Sequence, residues 1–177
     1  MAKRQGDILA EIILDNKYER IAEIGVWKSH TVQKIFGLVP GKIIKEYWGV
    51  DWWLRPMDPI YGHYHTRVQE KWDQLHLKAC KLMRCFPQFR VLRASSLEAA
   101  RIFPEKYFDL VFIDADHFYE PLKQDIESWL PLVRKGGMIS GHDYGSKRFP
   151  GCTEAVDECF GKDNITIYDC SVWAKEI

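Results

Sequence analysis

The spacing of apolar and polar positions divides the chain into short buried strands and longer one-sided helices. Residues 7–16 place Ile8, Leu9, Ile12 and Ile13 on one helical face. The run RIAEIGV at 20–26 reads as a short buried strand. In SHTVQKIFGLV, Ser29 is a candidate helix cap, and Val32, Ile35 and Phe36 form the apolar stripe before Pro40-Gly41 ends it. KEYWGVDWW is a second strand that stops at Asp51, and LRPMDPIY at 54–61 is a loop with two prolines. From Tyr64 to Phe86, Val68, Trp72, Leu75, Ala79 and Leu82 recur on one side of a helix.

FRVLRA is a third strand, and SSLEAARIF a short helix capped by Ser95 or Ser96. YFDLVFIDA is the most apolar strand and reads as central. Pro121 sits in the first turn of the next helix, whose inner face is Leu122, Ile126, Trp129 and Leu130; Gly136-Gly137 stops it. GMISG is a fifth strand, CTEAVDECF a helix, and NITIYD and SVWAKEI a closing pair of strands. Strands joined by helices pair in parallel with right-handed crossovers. The expected fold class is therefore α/β: a three-layer sandwich with a Rossmann-like, mostly parallel sheet and an antiparallel C-terminal strand. The sequence contains no linker, repeat or low-complexity stretch, so residues 1–177 are expected to form one domain.

Composition narrows the function classes. Lys plus Arg equals Asp plus Glu at 25 each, which gives no global electrostatic reason for nucleic acid or an anionic membrane as partner. The basic, then apolar N-terminus is interrupted by Asp7, Glu11 and Asp15, unlike a signal or membrane segment. Five cysteines without a C-x-x-C pair argue for reduced thiols and a cytoplasmic location, with little support for zinc at Cys152 and Cys159.

In open parallel sheets, ligands bind beyond the carboxyl ends of the strands. The successive strand ends carry Glu23, Gly25 and Ser29; Asp51, Trp52 and Trp53; Ser95 and Ser96; Asp114, Asp116 and His117; and His142 and Asp143. So many carboxylates and imidazoles on one edge call for a ligand or metal that offsets the cost of burying charge. Asp51 suits a ribose diol, a device shared by nicotinamide-dinucleotide and S-adenosylmethionine sites. The first turn decides between them. A dinucleotide needs several glycines to bring backbone onto its pyrophosphate. Here Gly25 stands alone, and Trp27 and Ser29 hold the places where further glycines are looked for.

AEIGVWKSHT, GVDWW and FDLVFIDADHFYEPLKQDIESWLPLVRKGGMISGHDY resemble the class I S-adenosylmethionine-dependent methyltransferases, closest to the macrocin-type sugar O-methyltransferases and distantly similar to catechol O-methyltransferase. The resemblance covers roughly residues 20–145. It implies cofactor binding by Glu23, Gly25, Trp27, Ser29, Asp51, Trp52, Ser95, Ser96 and Asp114. It implies catalysis by His117, as the base, and Asp114. In metal-dependent members the matching positions, here Asp114, His142 and Asp143, hold Mg2+ or another divalent ion. Ser29 departs from the family's usual glycine, and His142 from a frequent acid. The implied reaction is methylation of a hydroxyl on a small sugar or natural-product-like acceptor. The loop around residues 54–65, with Tyr61, His63, Tyr64 and His65, is a candidate cover for the site. A homo-oligomer is a candidate state, because the chain is short for closing an acceptor pocket alone. The competing readings are a non-catalytic S-adenosylmethionine-binding domain and a nicotinamide-dependent oxidoreductase.

Overall fold

The computed structural model describes residues 3–56 and 68–177. In chain order the elements are helix α1 (Gln5–Asn16), strand β1 (Arg20–Ile24), α2 (His30–Leu38), β2 (Glu46–Asp51), α3 (Gln69–Leu82), β3 (Phe89–Arg93), α4 (Ser96–Ala100), β4 (Phe108–Ile113), α5 (Tyr119–Trp129), β5 (Val133–Gly141), α6 (Pro150–Phe160), β6 (Thr166–Ile167) and β7 (Trp173–Glu176). One sheet takes them in the order β3-β2-β1-β4-β5-β7-β6. The first five strands pair in parallel; β7 runs antiparallel to both β5 and β6.

The period of two along each strand feeds two cores. On one face Ile21, Tyr47, Phe89, Leu110 and Phe112 pack against Ile8, Leu9, Ile12 and Ile13 of α1, Val32 and Ile35 of α2, and Trp72 and Ala79 of α3. On the other, Ala22, Ile24, Val50, Val111, Ile113 and Ile139 pack against α4, α5 and α6 through Ala99, Leu122, Ile126, Trp129, Ala155 and Val156. The helical stripes read from the sequence are thus the inner faces of the outer layers. Val68 is the exception: it precedes α3 and is exposed. Among the described residues, no helix is long and apolar enough to cross a membrane.

Three local expectations are corrected. Gly136-Gly137 does not end α5. That helix closes at Trp129 through a 3-10 turn at Leu130–Leu132, and β5 has already begun at Val133. The pair instead kinks the strand: Gly136 takes φ +74, and the β4–β5 register shifts between Phe108 and Leu110. Ser29 occupies the N-cap position of α2 without a side-chain cap bond, because its own backbone is left-handed. The closing strands are shorter than NITIYD and SVWAKEI, reduced to Thr166–Ile167 and Trp173–Glu176.

Candidate active site

The strand order reverses direction between β1 and β4, so the crossovers from these strands diverge to opposite faces and leave a crevice at their carboxyl ends. A cleft of about 2200 Å³ opens there, lined among others by Glu23, Gly25, Trp27, Asp51, Trp52, Ser95, Ser96, Asp114, His117, His142 and Asp143. Of the site residues named from sequence, Ser29 lies outside this lining. Tyr61, His63, Tyr64 and His65 lie outside the described residues.

The first turn has the backbone of a glycine loop built from other residues. Gly25, Trp27 and Ser29 all take positive φ, at 94°, 44° and 60°. Gly25 has no substitute, since a Cβ there would stand 2.1 Å from the Asp114 carbonyl oxygen. The turn is held by Asp51. Its Oδ2 accepts from the backbone N–H of Val26 (3.0 Å) and Trp27 (2.8 Å), and its Oδ1 from that of Trp53 (2.6 Å). Burial nevertheless raises the Asp51 pKa, with these three bonds opposing. The two N–H groups of the first turn are therefore spent on a carboxylate, which counts against a dinucleotide's pyrophosphate. Ser29 is 1% exposed, and its Oγ has no hydrogen-bond partner among the described residues.

Glu23 lies beneath the cleft floor at 1% exposure and accepts from the Tyr47 hydroxyl at 2.8 Å. Burial pushes its pKa well above the ordinary carboxyl range; the Tyr47 bond opposes this, and repulsion from Asp114 and Asp51 adds to it. Those three acids therefore share one electrostatic neighbourhood. A further residue joins them that the sequence did not mark. The Gln5 amide of α1 donates to Asp114 Oδ2 at 2.8 Å and to Thr31 Oγ1 at 3.0 Å.

Beyond β4 and β5 lies a second cluster. His117 Nε2 is 3.0 Å from Asp143 Oδ2. His142 Nδ1 is 3.2 Å from the same oxygen and 3.7 Å from Asp114 Oδ1. Its Nε2 is 3.9 Å from Cys170 Sγ, a cleft neighbour that sequence reading also missed. Burial disfavours charge on His142, but the Asp143 bond and the Asp114 charge outweigh it and raise its pKa to about 9. His117 is raised for the same reasons. Asp143 falls well below the usual carboxylate range, because the two imidazoles overcome its burial. Asp114 moves up, burial outweighing both imidazoles and Gln5.

Asp114, His117 and Asp143 offer ligand atoms within 4.8 Å of one another, a donor set suited to a divalent cation. His142, named from the sequence as the third ligand, is not in that group. His117, named as the base, is. Asp116 accepts from the Phe118 N–H at 3.0 Å and forms a turn.

The opposite wall of the cleft is less committed. Trp52 is 53% exposed at the cleft, whereas Trp53 is fully buried. Ser95 caps α4 with a reciprocal Glu98 box. The Ser96 hydroxyl accepts from Trp129 Nε1 at 2.8 Å, and burial lifts the pKa of Asp125, also in the cleft lining, to about 6.

A family model described as "Methyltransferase domain" matches residues 22–144. No curated protein matches the chain by sequence. Among solved structures, a candidate caffeoyl-CoA O-methyltransferase from Staphylococcus aureus is similar with a TM-score of 0.68 at 16% identity, over 98% of this chain and 83% of that one. The TDP-rhamnose 3′-O-methyltransferase of calicheamicin biosynthesis matches with a TM-score of 0.64 at 16% identity, over 96% of this chain and 77% of its own. An O-methyltransferase from Bacillus cereus in complex with SAH matches with a TM-score of 0.63 at 18% identity, over 96% and 79%. At these identities the structural likeness concerns the fold.

Proposed function

We infer that this chain, which belongs to the methyltransferase domain family and is a class I S-adenosylmethionine-dependent methyltransferase, methylates a hydroxyl of a small organic acceptor. The observation that carries the reading is His117 held 3.0 Å from Asp143 at the cleft, beside Asp114. Hydroxyl acceptors of the structural relatives, among them a TDP-rhamnose O-methyltransferase, support the same chemistry. The cleft, at about 2200 Å³, exceeds the roughly 300–1,000 Å³ of ordinary ligand pockets. That leaves room for two ligands side by side.

S-adenosylmethionine, when bound, supplies a methyl group on a cationic sulfur. The residues fit such a ligand. Glu23, Asp51 and Asp114 bring three carboxyl groups to the cleft, and Trp52 offers an exposed aromatic face. The Asp51 carboxylate spends three of its roughly four acceptor sites on backbone, so it keeps capacity for about one ribose hydroxyl. Glu23 and Asp114, both pushed up by burial, regain negative charge when a cation lies beside them.

The acceptor hydroxyl must lose its proton as the new bond to carbon forms. His117 is placed to receive it, with Asp143 fixing the imidazole and stabilising its charged form. Because the pKa of His117 is raised, its neutral form grows as pH climbs above neutrality. Turnover through this base rises with pH. A second reading has a specific basis in the grouping of Asp114, His117 and Asp143 within 4.8 Å. These three would hold a divalent ion, which would itself acidify and orient the hydroxyl; His117 would then be a ligand instead of the base.

The test is calorimetric titration with S-adenosylmethionine, SAH and NAD, followed by labelled-methyl transfer to a panel of hydroxylated sugars and phenols with and without chelator. Binding of the first two and transfer lost in Asp114→Asn and His117→Ala are expected. Near-normal rates in either variant would remove that residue from the mechanism. Absence of S-adenosylmethionine binding would overturn the whole reading. Chelator-insensitive turnover would leave His117 as the base.

A further inference from the structure

Gln5 stands in the first turn of α1, before the region that the family model matches. Its amide nitrogen sits 2.8 Å from Asp114 Oδ2 and 3.0 Å from Thr31 Oγ1, joining residues 109 positions apart. An ionised carboxylate only accepts, so with Asp114 charged, as beside a cationic ligand, the amide presents its NH2 to it; the flipped amide would then set oxygen against oxygen. An NH2 group has two protons, and both are used. The second partner, Thr31, is itself 7% exposed and sits in the first turn of α2. The result is a bridge from Gln5 to the buried acid after β4 and to the first turn of α2.

The helix that carries Gln5 is not loose. Ile8, Leu9, Ile12 and Ile13 of α1 are buried in the core against α2 and the sheet. The N-terminal turn of α1 also lines the cleft, through Arg4, Gln5, Gly6 and Asp7. Without the amide, Asp114 would keep His142 at 3.7 Å as its polar neighbour on the other oxygen.

We propose that Gln5 is a positioning residue of the methyl-transfer site, its amide orienting the Asp114 carboxylate toward the cofactor and tying that acid to Thr31 of α2. This rests on the S-adenosylmethionine-binding reading above. It makes α1 part of the active site, although no strand-end rule points there. Misplacing a reacting group by a small distance costs roughly 100-fold in rate. Gln5→Leu, of similar size without donors, is therefore expected to lower kcat/KM by about 10- to 100-fold and SAH affinity by about tenfold.

A double-mutant cycle separates positioning from simple structural support. SAH dissociation constants are measured for wild type, Gln5→Leu, Asp114→Ala and the double variant. If Gln5 acts through Asp114, Gln5→Leu costs less than about twofold once Asp114 is absent. An equal cost in both backgrounds, or no cost in either, overturns the proposal. Should Gln5→Leu fail to fold, Gln5→Glu runs the same cycle with an acceptor in place of the donor, and is expected to lose more. Wild-type protein that binds no SAH overturns the cofactor reading and this inference together. Wild-type protein that binds SAH, with Gln5 variants that bind it equally, overturns this inference alone.

Discussion

Replacing Ser29 by glycine should stabilise the protein, although it removes a buried side chain from the first turn. Two costs meet at Ser29. Its backbone is left-handed, with φ 60° and ψ 28°, which disfavours a residue with a Cβ by about 1–2 kcal/mol. Its Oγ is buried without a hydrogen-bond partner among the described residues, a penalty of about 1–3 kcal/mol. Glycine removes both and adds about 0.4–1 kcal/mol of unfolded-chain entropy. The net gain should be about 2 kcal/mol, or roughly 4–8 °C in Tm for a domain of this size. Ser29→Ala isolates the hydroxyl, since it keeps the Cβ and the left-handed backbone. Urea denaturation read by fluorescence measures both variants, with an unchanged slope required for a clean comparison. A glycine variant no more stable than wild type would refute the reasoning. Alanine equal to wild type beside a stabilised glycine would assign the whole effect to the backbone.

Asp51→Ala should weaken SAH binding and also cost on the order of 2 kcal/mol of stability, because three backbone N–H groups lose their acceptor; unchanged SAH affinity by calorimetry would reject its ligand role. Asp125, lifted to about 6 by burial, binds its proton more tightly folded than unfolded, so its contribution to stability declines as pH rises from 3.8 to about 6. Asp125→Asn should flatten that decline and gain up to about 3 kcal/mol at neutral pH; parallel pH profiles of the two proteins would count against it. His142, raised to about 9, contributes stability fully below its unfolded value of 6.5 and loses it as pH climbs through about 9. Denaturation midpoints of His142→Gln between pH 6 and 10 should therefore fall less than those of wild type, and an equal fall would dismiss the ion pairs.

The sheet was legible because its strands are apolar runs, and because polar groups at the ends of parallel strands must share one edge. Glu23, Asp51, Asp114, His117 and Asp143 were found that way, and they do line one cleft. What escaped has physical causes. Ser29 reads as a cap from composition, yet a cap needs extended backbone and Ser29 is left-handed. Gly136-Gly137 reads as a stop, yet glycine serves equally to kink a strand. Gln5 and Cys170 reach the site from α1 and from the turn before β7, far from any β-strand that feeds an α-helix. Nothing in their local sequence signals those contacts, which arise from packing between layers. His142, placed among metal ligands by resemblance, also lines the cleft, with its Nδ1 3.2 Å from Asp143 Oδ2.

The contact between Gly25 and the end of β4 has a mechanical consequence. With room for only a hydrogen where a methyl would strike the Asp114 carbonyl, the turn after β1 and the acid after β4 are wedged together. They are further stitched by the Asp114 N–H donating to Ile24 at 2.7 Å. Neither can shift without dragging the other, so the first turn and the end of β4 behave as a single solid block. A wedge as small as alanine at position 25 would push on the Asp114 backbone as well as on the first turn, and would spoil affinity and turnover in the same stroke.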